Sequence, residues 1–387
     1  MRGHIRRRGR SSWAIVIDIG RDGNGKRRQK WHTVRGSKRD AERELARLLN
    51  ELSAGTYVEP SRILVSDYLG RWLEDYARPK VSPKTFERYA QLIDRNIVSE
   101  LGSRQLAELR PLHIQGFYSK CLTQGRKDGR GGLSPQTVLH IHRVLHRSLE
   151  QAVRWQLLAR NPAAAVEPPK PQRTEMRALS DTETAQLLRS LEGNRLFAPV
   201  FIAVTTGLRR GEILALRWND LDLQRGEAEV LQSLEQTSDG LRLKRPKTGR
   251  GARSIALPQI AVEFFAALRT QQARERLSLG SLYDDHDLVC PGPGGKPWPP
   301  DSLSTAFAAF VRQSEIKHLR FHDLRHTHAT QLLKEGVHPK VVSERLGHST
   351  VAITLDTYSH VLPGMQKDAV ARLDTALRSA LARGSET

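Results

Sequence analysis

Alternating apolar and polar residues mark two short stretches near the start of the chain. Trp13–Ile19 is mostly apolar and predicts a strand, and Asp22–Gly25 has the Asp-Gly-Asn-Gly sequence typical of a hairpin turn. Arg27–Val34 then alternates basic with aromatic or polar residues, as expected of a second strand. Lys38–Leu52 places its alanine and leucine residues along one side of a helix. Residues 1–58 are therefore predicted to form a small domain of β-sheet plus one helix.

The pattern then changes to helical spacing, with apolar residues recurring every three or four positions. One helix begins at Ser66, and proline at the first helical position marks three further starts, at Pro83, Pro111 and Pro135. Residues 63–160 are therefore predicted to form an all-helical domain.

Prolines are concentrated in residues 161–178, which we interpret as a semi-rigid linker. Residues 179–387 form the largest predicted domain, which is mostly helical with a strand-rich patch at Glu227–Leu257. Near its end, Met365–Leu381 carries its apolar residues along one side and predicts an amphipathic helix. The predicted fold class is multidomain and mainly α, with a small antiparallel sheet in the last domain.

The charge of the chain limits the kinds of function that we expect for this protein. Lysine and arginine number 62 against 42 aspartate and glutamate among 387 residues, a net charge of +20, and the first 50 residues hold 15 basic and 5 acidic side chains. This excess favours nucleic acid as a partner, although the same charges could form a solvated face without a target. Two cysteines, Cys121 and Cys290, are too few for a disulfide framework. No apolar run approaches the ~20 residues of a membrane span. We therefore expect an intracellular nucleic-acid protein rather than a secreted or membrane protein.

A histidine-rich stretch holds the first candidate chemistry. On a helix His322, Arg325 and His326 share one face, because they lie at i, i+3 and i+4. A metal site is one interpretation, but neither cysteine nor a well-placed carboxylate completes a ligand set. A positive cluster at the start of a helix fits an oxyanion or phosphate better.

Three further motifs accompany this cluster. Thr206–Glu212 combines a turn, Arg209 and the start of a helix, with a glutamate close enough to hold the arginine or to form an ordinary surface ion pair. Leu346–Ser349 ends one helix at a glycine, and His348 follows that glycine. Tyr358 stands ten residues after His348.

In order and spacing these motifs resemble the tyrosine recombinases, or phage-integrase family. The resemblance rests on Thr-Gly-Leu-Arg-x-x-Glu at 206–212, His-x-Leu-Arg-His at 322–326, Leu-Gly-His at 346–348 and the later tyrosine. It implies that 179–387 is the catalytic domain and that the helical unit is the family's SAM-like core-binding domain. It also implies that residues 1–58 form an arm-type DNA-binding domain.

The resemblance assigns a role to each member of a catalytic set. Tyr358 matches the nucleophile, Arg209 and Arg325 match the phosphate-binding arginines, and His322 matches the candidate base. The remaining matches are His348, which would donate to a non-bridging oxygen, and a lysine in a β-hairpin that would protonate the leaving 5′-oxygen. Lys247 is the assigned lysine and Lys244 is a nearby alternative.

The implied reaction is site-specific cutting and rejoining of DNA through a covalent 3′-phosphotyrosine, which integrates or excises a phage or mobile element. It implies no metal and no other cofactor, because the phosphotyrosine keeps the bond energy for rejoining. The implied partners are double-stranded core and arm attachment sites, a homotetramer on DNA, and a directionality factor or host DNA-bending protein, in a bacterial cytoplasm and on its nucleoid. Three rival interpretations are a chromosome-dimer-resolving recombinase, a catalytically inactive DNA-binding regulator and a type IB topoisomerase.

Overall fold

The structure is a computed structural model, and it divides the chain into two compact units, 1–173 and 174–387, which are described separately. It describes all residues except those in the following list. These are residues 1–2, 22, 24, 55–56, 59–60, 127–128, 173–175, 246–251, 317, 359–369, 372, 376 and 379–387.

The first unit begins with a three-stranded antiparallel sheet. Its strands β1 (Gly3–Gly9), β2 (Ser12–Arg21) and β3 (Arg27–Arg35) lie in the order β1-β2-β3. The helix α1 (Lys38–Ser53) follows, and its capping box joins the N-cap Ser37 to the third helical residue. The sequence predicted two strands and missed β1, because the arginine-rich segment lacks the apolar alternation that marks a half-buried strand. One face of the sheet packs on α1.

The rest of the first unit is a helical bundle. The predicted proline starts are confirmed for three of its helices, and two segments within it widen into π-helix. Its elements are α2 (Val65–Arg71), a π-helix (Trp72–Ala77), α3 (Pro83–Leu92), a π-helix (Ile93–Ile97), α4 (Val98–Leu101), a 3₁₀ turn (Leu106–Glu108), α5 (Pro111–Gln124), α6 (Pro135–Arg154) and a 3₁₀ turn (Pro162–Ala165).

This bundle has a core of its own, separate from that of the sheet. Tyr68, Trp72 and Leu145 are fully buried in it, whereas Ile15 and Leu48 belong to the cluster between sheet and α1. The start of the proline-rich stretch also packs here, since the 3₁₀ turn that follows α6 is part of the same core.

The second unit is mainly helical, and its described residues form two small antiparallel sheets. The helix that follows the linker starts at a capping box formed by Ser180 and Glu183. Its helices are α7 (Asp181–Ser190), α8 (Phe197–Thr206), α9 (Arg210–Ala215), α10 (Gln259–Leu279), α11 (Pro300–Gln313), α12 (Asp323–Lys334), α13 (Pro339–Leu346) and α14 (Val351–Tyr358). Its strands are β4 (Leu221–Asp222), β5 (Glu227–Val230), β6 (Ser233–Thr237), β7 (Gly240–Lys244) and β8 (Arg253–Ala256). They lie in the order β4-β5-β8 in one sheet and β6-β7 in the other.

The apolar helix α8 lies at the centre of the second unit. Val200 and Ile202 are fully buried there, and α12 packs against the same helix. The end of α8 therefore lies beside α12, which carries the histidine-rich motif. The predicted amphipathic helix at 365–381 falls largely outside the described residues. The mainly α fold class with small antiparallel sheets is confirmed.

Candidate active site

Two glycines that end helices bring the separate motifs together. Gly207 ends α8 and Gly347 ends α13, both with φ in the left-handed region, at 70° and 66°. A Cβ atom on Gly207 would lie 2.5 Å from the ring of His328 and 2.8 Å from Leu346. The turn after α8 therefore lies directly against α12 and the end of α13, and a larger residue would push them apart.

Arg209 extends from this turn toward the other helix end. It donates to the carboxylate of Glu212 at 2.8 Å and to the carbonyl of Gly347 at 2.9 Å. Its side chain is 40 % exposed. The guanidinium is thus held in place while one part of it stays open to an incoming anion.

Arg325 lies deeper, with 2 % exposure. It donates to the carbonyl of Gly207 at 2.8 Å and to that of Leu346 at 2.7 Å. Burial and the charge of Arg209 lower its pKa to about 9, so that it remains protonated at neutral pH. Two cations therefore converge at one place, an arrangement that favours a bound anion.

The predicted histidines lie around these arginines. His322 precedes α12 and is exposed, and its ring meets the ring of His326 edge-on at 4.9 Å between centroids. The Nδ1 atom of His348 lies 2.8 Å from the hydroxyl of Thr354. Burial and the nearby arginines lower the pKa of His348 to about 4, which leaves it neutral near pH 7.

Tyr358 is the last residue of α14 and is 2 % exposed. Its hydroxyl oxygen lies 2.7 Å from Nδ1 of His326. Burial raises its pKa to about 12, although the charge of Arg325 acts in the opposite direction. The hydroxyl is therefore protonated in the DNA-free protein, and it needs a proton acceptor before it can attack.

The lysine of the predicted set is not located. Lys247 lies outside the described residues, and Lys244 ends β7, where its amine lies 3.3 Å from a carboxylate oxygen of Glu235 across the hairpin. The structure brings the other five predicted residues together. They are Arg209, His322, Arg325, His348 and Tyr358.

Residues that the sequence does not single out hold this set in place. Arg253 of β8 is 8 % exposed and binds the carboxylate of Glu212 at 3.0 Å and the carbonyl of Arg345 at 2.8 Å. Arg345 in turn donates to Nε2 of His328 at 2.9 Å. The sequence signal for Arg253 was its place on the strand that returns from the lysine hairpin.

Two absences hold for the described part of the chain. It contains no cluster of three or more histidine, cysteine, aspartate or glutamate side chains arranged to hold a metal ion. None of its helices is both long and apolar enough to cross a bilayer.

Two family models match parts of the chain. Residues 177–364 match the phage integrase family, and residues 64–122 match the N-terminal SAM-like domain of phage integrases. The first match contains every member of the predicted catalytic set.

Relatives and solved structures agree with these matches. The tyrosine recombinase XerC-like protein of Caldanaerobacter subterraneus subsp. tengcongensis is 30 % identical over 95 % of this chain and 96 % of its own length. The Tn1549 transposon integrase, solved in complex with transposon right end DNA, is similar with a TM-score of 0.65 at 19 % identity, over 80 % of this chain and 99 % of that chain. A lambda integrase tetramer bound to a Holliday junction is similar with a TM-score of 0.56 at 19 % identity, over 89 % and 95 %. The chain belongs to the tyrosine recombinase, or phage integrase, family of site-specific DNA recombinases.

Proposed function

We propose that this recombinase integrates or excises a phage or mobile element, and that Tyr358 forms a covalent 3′-phosphotyrosine with one DNA strand. The observation that carries the proposal is the position of the tyrosine beside Arg325, which shares a helix end with Arg209. A phosphodiester is anionic and repels nucleophiles, so the two guanidinium groups serve first to neutralise it.

The arginines also stabilise the transition state. Charge grows on the non-bridging oxygens as phosphorus becomes five-coordinate, and guanidinium forks match those oxygens. Removing one such fixed donor costs roughly 3–4 kcal/mol of transition-state stabilisation. Arg209 and Arg325 are the proposed donors, and neutral His348 adds a third.

The departing 5′-oxygen needs a proton, because an alkoxide leaves poorly. We assign this proton to one of two lysines, at the end of β7 or three residues after it. Lys247 is the assigned residue by its motif, and Lys244 is its competitor.

The sheet of the first unit is proposed to bind arm sites. The β2 register places Arg6 opposite Ala14 and Trp31 opposite Val16, on the face away from α1. The guanidinium of Arg6 lies 5.9 Å from the centre of the Trp31 ring, which is 54 % exposed. A basic and aromatic face that α1 leaves uncovered suits DNA phosphates and groove edges.

A tetramer follows from the chemistry. Exchange of two duplexes cuts four strands, and each copy of the chain offers one Tyr358. We therefore propose a homotetramer on DNA, with the segment 365–381 docking on a neighbouring copy. We also propose a directionality factor or a host DNA-bending protein as further partners, and action on the bacterial nucleoid in the cytoplasm.

The substitution Tyr358→Phe tests this function on a nicked attachment site, with denaturing electrophoresis to detect the adduct. The variant should bind DNA as the parent does and form no covalent adduct. Tyr118→Phe is a matched control, because Tyr118 also bonds a histidine, His142, at 2.9 Å but lies in the helical bundle. An adduct formed by Tyr358→Phe would refute the assignment. Absence of any adduct in the parent protein would favour a DNA-binding regulator instead.

A further inference from the structure

The hydrogen bond between Tyr358 and His326 carries a further assignment. We propose that His326, rather than His322, takes the proton from the Tyr358 hydroxyl during cleavage and returns it during rejoining. This proposal rests on the proposed function, because it concerns the nucleophile of that reaction.

Distance supports this assignment. Nδ1 of His326 lies 2.7 Å from the tyrosine oxygen, within the reach of about 2.6–3.2 Å required of a general base. His322 lies one helical turn earlier, and its ring contacts His326 edge-on. Of these two histidines, His326 is the one that bonds the oxygen that attacks.

His326 is in the neutral state that a proton acceptor requires. Burial and the neighbouring His322 lower the pKa of His326 to about 4, so its ring is neutral near pH 7 and Nδ1 can accept. Asp323 acts in the opposite direction and favours the imidazolium that forms after transfer. The charged and titratable groups around the ring are His322, Asp323, Arg325, Arg320, His348 and Tyr358.

The O–H bond of Tyr358 breaks as its oxygen bonds to phosphorus, and the proton moves to Nδ1 of His326. The bond from phosphorus to the 5′-oxygen breaks at the same time, and that oxygen takes its proton from the hairpin lysine. In rejoining, the DNA 5′-hydroxyl attacks phosphorus and gives its proton back to the lysine. The bond from phosphorus to the tyrosine oxygen breaks, and the imidazolium returns its proton to that oxygen.

Another histidine on α12 shows a purely structural arrangement. Nδ1 of His328 donates to the carbonyl of Val204 at 2.9 Å, and its Nε2 accepts from Arg345 at 2.9 Å. Both ring nitrogens of His328 are used in packing α12 against its neighbours. His326 differs because its bonded nitrogen faces the nucleophile.

Chemical rescue tests the proposal on a nicked attachment site. His326→Ala should form the phosphotyrosine about 10²–10⁴-fold more slowly than the parent. Added imidazole should restore much of the rate, and more basic imidazoles should restore more. His326→Asn can still accept a hydrogen bond but cannot take a proton, so it should remain slow. His142→Asn, the same substitution at the histidine that bonds Tyr118, should cleave normally.

Three outcomes would overturn the proposal. Normal cleavage by His326→Asn would mean that the residue only positions Tyr358, and imidazole rescue of His322→Ala alone would return the role to His322. Faster cleavage by His326→Ala would mean that the hydrogen bond to His326 holds Tyr358 back from attack.

Nitrogen NMR of the DNA-free parent should show Nδ1 of His326 as an acceptor with its hydrogen on Nε2. If the parent forms no adduct, the proposed function itself fails, whereas a slow variant beside an active parent tests His326 alone.

Discussion

The substitution Glu212→Gln isolates the charge that holds the arginines of the active site. Glu212 is 7 % exposed and binds Arg253 at 3.0 Å and Arg209 at 2.8 Å. Glutamine has nearly the same shape but brings an amide nitrogen where one guanidinium needs an acceptor. The change therefore leaves the arginine charges near a neutral group inside the unit.

The expected loss is large because the site is buried. Breaking a buried ion pair by removing one partner costs about 3–5 kcal/mol. For a unit of this size, each kcal/mol lowers the melting temperature by roughly 2–4 °C, so the midpoint should fall by roughly 6–20 °C.

Differential scanning calorimetry of the full chain measures this change. Glu275→Gln is the matched control, since Glu275 pairs with Arg195 at 3.0 Å in the same unit but with 37 % and 44 % of the two side chains exposed. An exposed pair contributes about 1 kcal/mol or less. Equal melting temperatures for the two variants would refute the buried-pair reasoning.

The pH dependence gives a second readout. Burial acts to raise the pKa of Glu212, but Arg253 and Arg209 outweigh it and hold the pKa below its ordinary value. The stabilisation is therefore complete above the ordinary carboxyl pKa and is lost as the pH falls through the lowered folded value. The stability difference between parent and Glu212→Gln should consequently shrink in acid, and a difference that grows would contradict this sign.

Two further predictions concern the lysine and the sheet. Lys247→Ala should cleave normal DNA very slowly and recover on a 5′-bridging phosphorothioate, whose thiolate leaves without a proton. Recovery by Lys244→Ala instead would assign the proton donor to Lys244. Equal defects of Lys247→Ala on both substrates would show that Lys247 is not the proton donor. Deleting residues 1–58 should remove the arm-site footprint and lower the salt slope of binding by about 0.9 for each lost phosphate contact, while cleavage of a short core site persists. Identical footprints before and after the deletion would reduce the sheet to a solvated basic face.

Local signals predicted most of the elements, because they depend on neighbours in the chain. The proline starts of α3, α5 and α6 all lie where the sequence places them. The two π-helical segments were missed, since a widened turn keeps an apolar pattern close to that of an α-helix. The limits of the predicted domains and the roles of the catalytic residues remain predictions.

Contacts between distant residues could not be predicted in the same way. The motif at 322–326 holds two histidines four residues apart, and the sequence does not say which one meets Tyr358. The answer depends on how α14 packs against α12, and contacts between residues far apart in the chain determine that packing. The pairing of Arg253 with Glu212 likewise joins residues 41 positions apart. The sequence therefore indicates which residues lie in the site, but not which of them contact one another.

The two glycine motifs have the same structural role, because each supplies a carbonyl oxygen to an arginine of another motif. Arg325 binds the carbonyl of Gly207, and Arg209 binds the carbonyl of Gly347, so each turn holds an arginine from another motif. A guanidinium has five N–H donors, and these bonds leave others for a phosphate. Donors fixed before the substrate arrives need no reorganisation during the reaction, which is where electrostatic catalysis gains most. The left-handed glycines thus serve to aim the arginines.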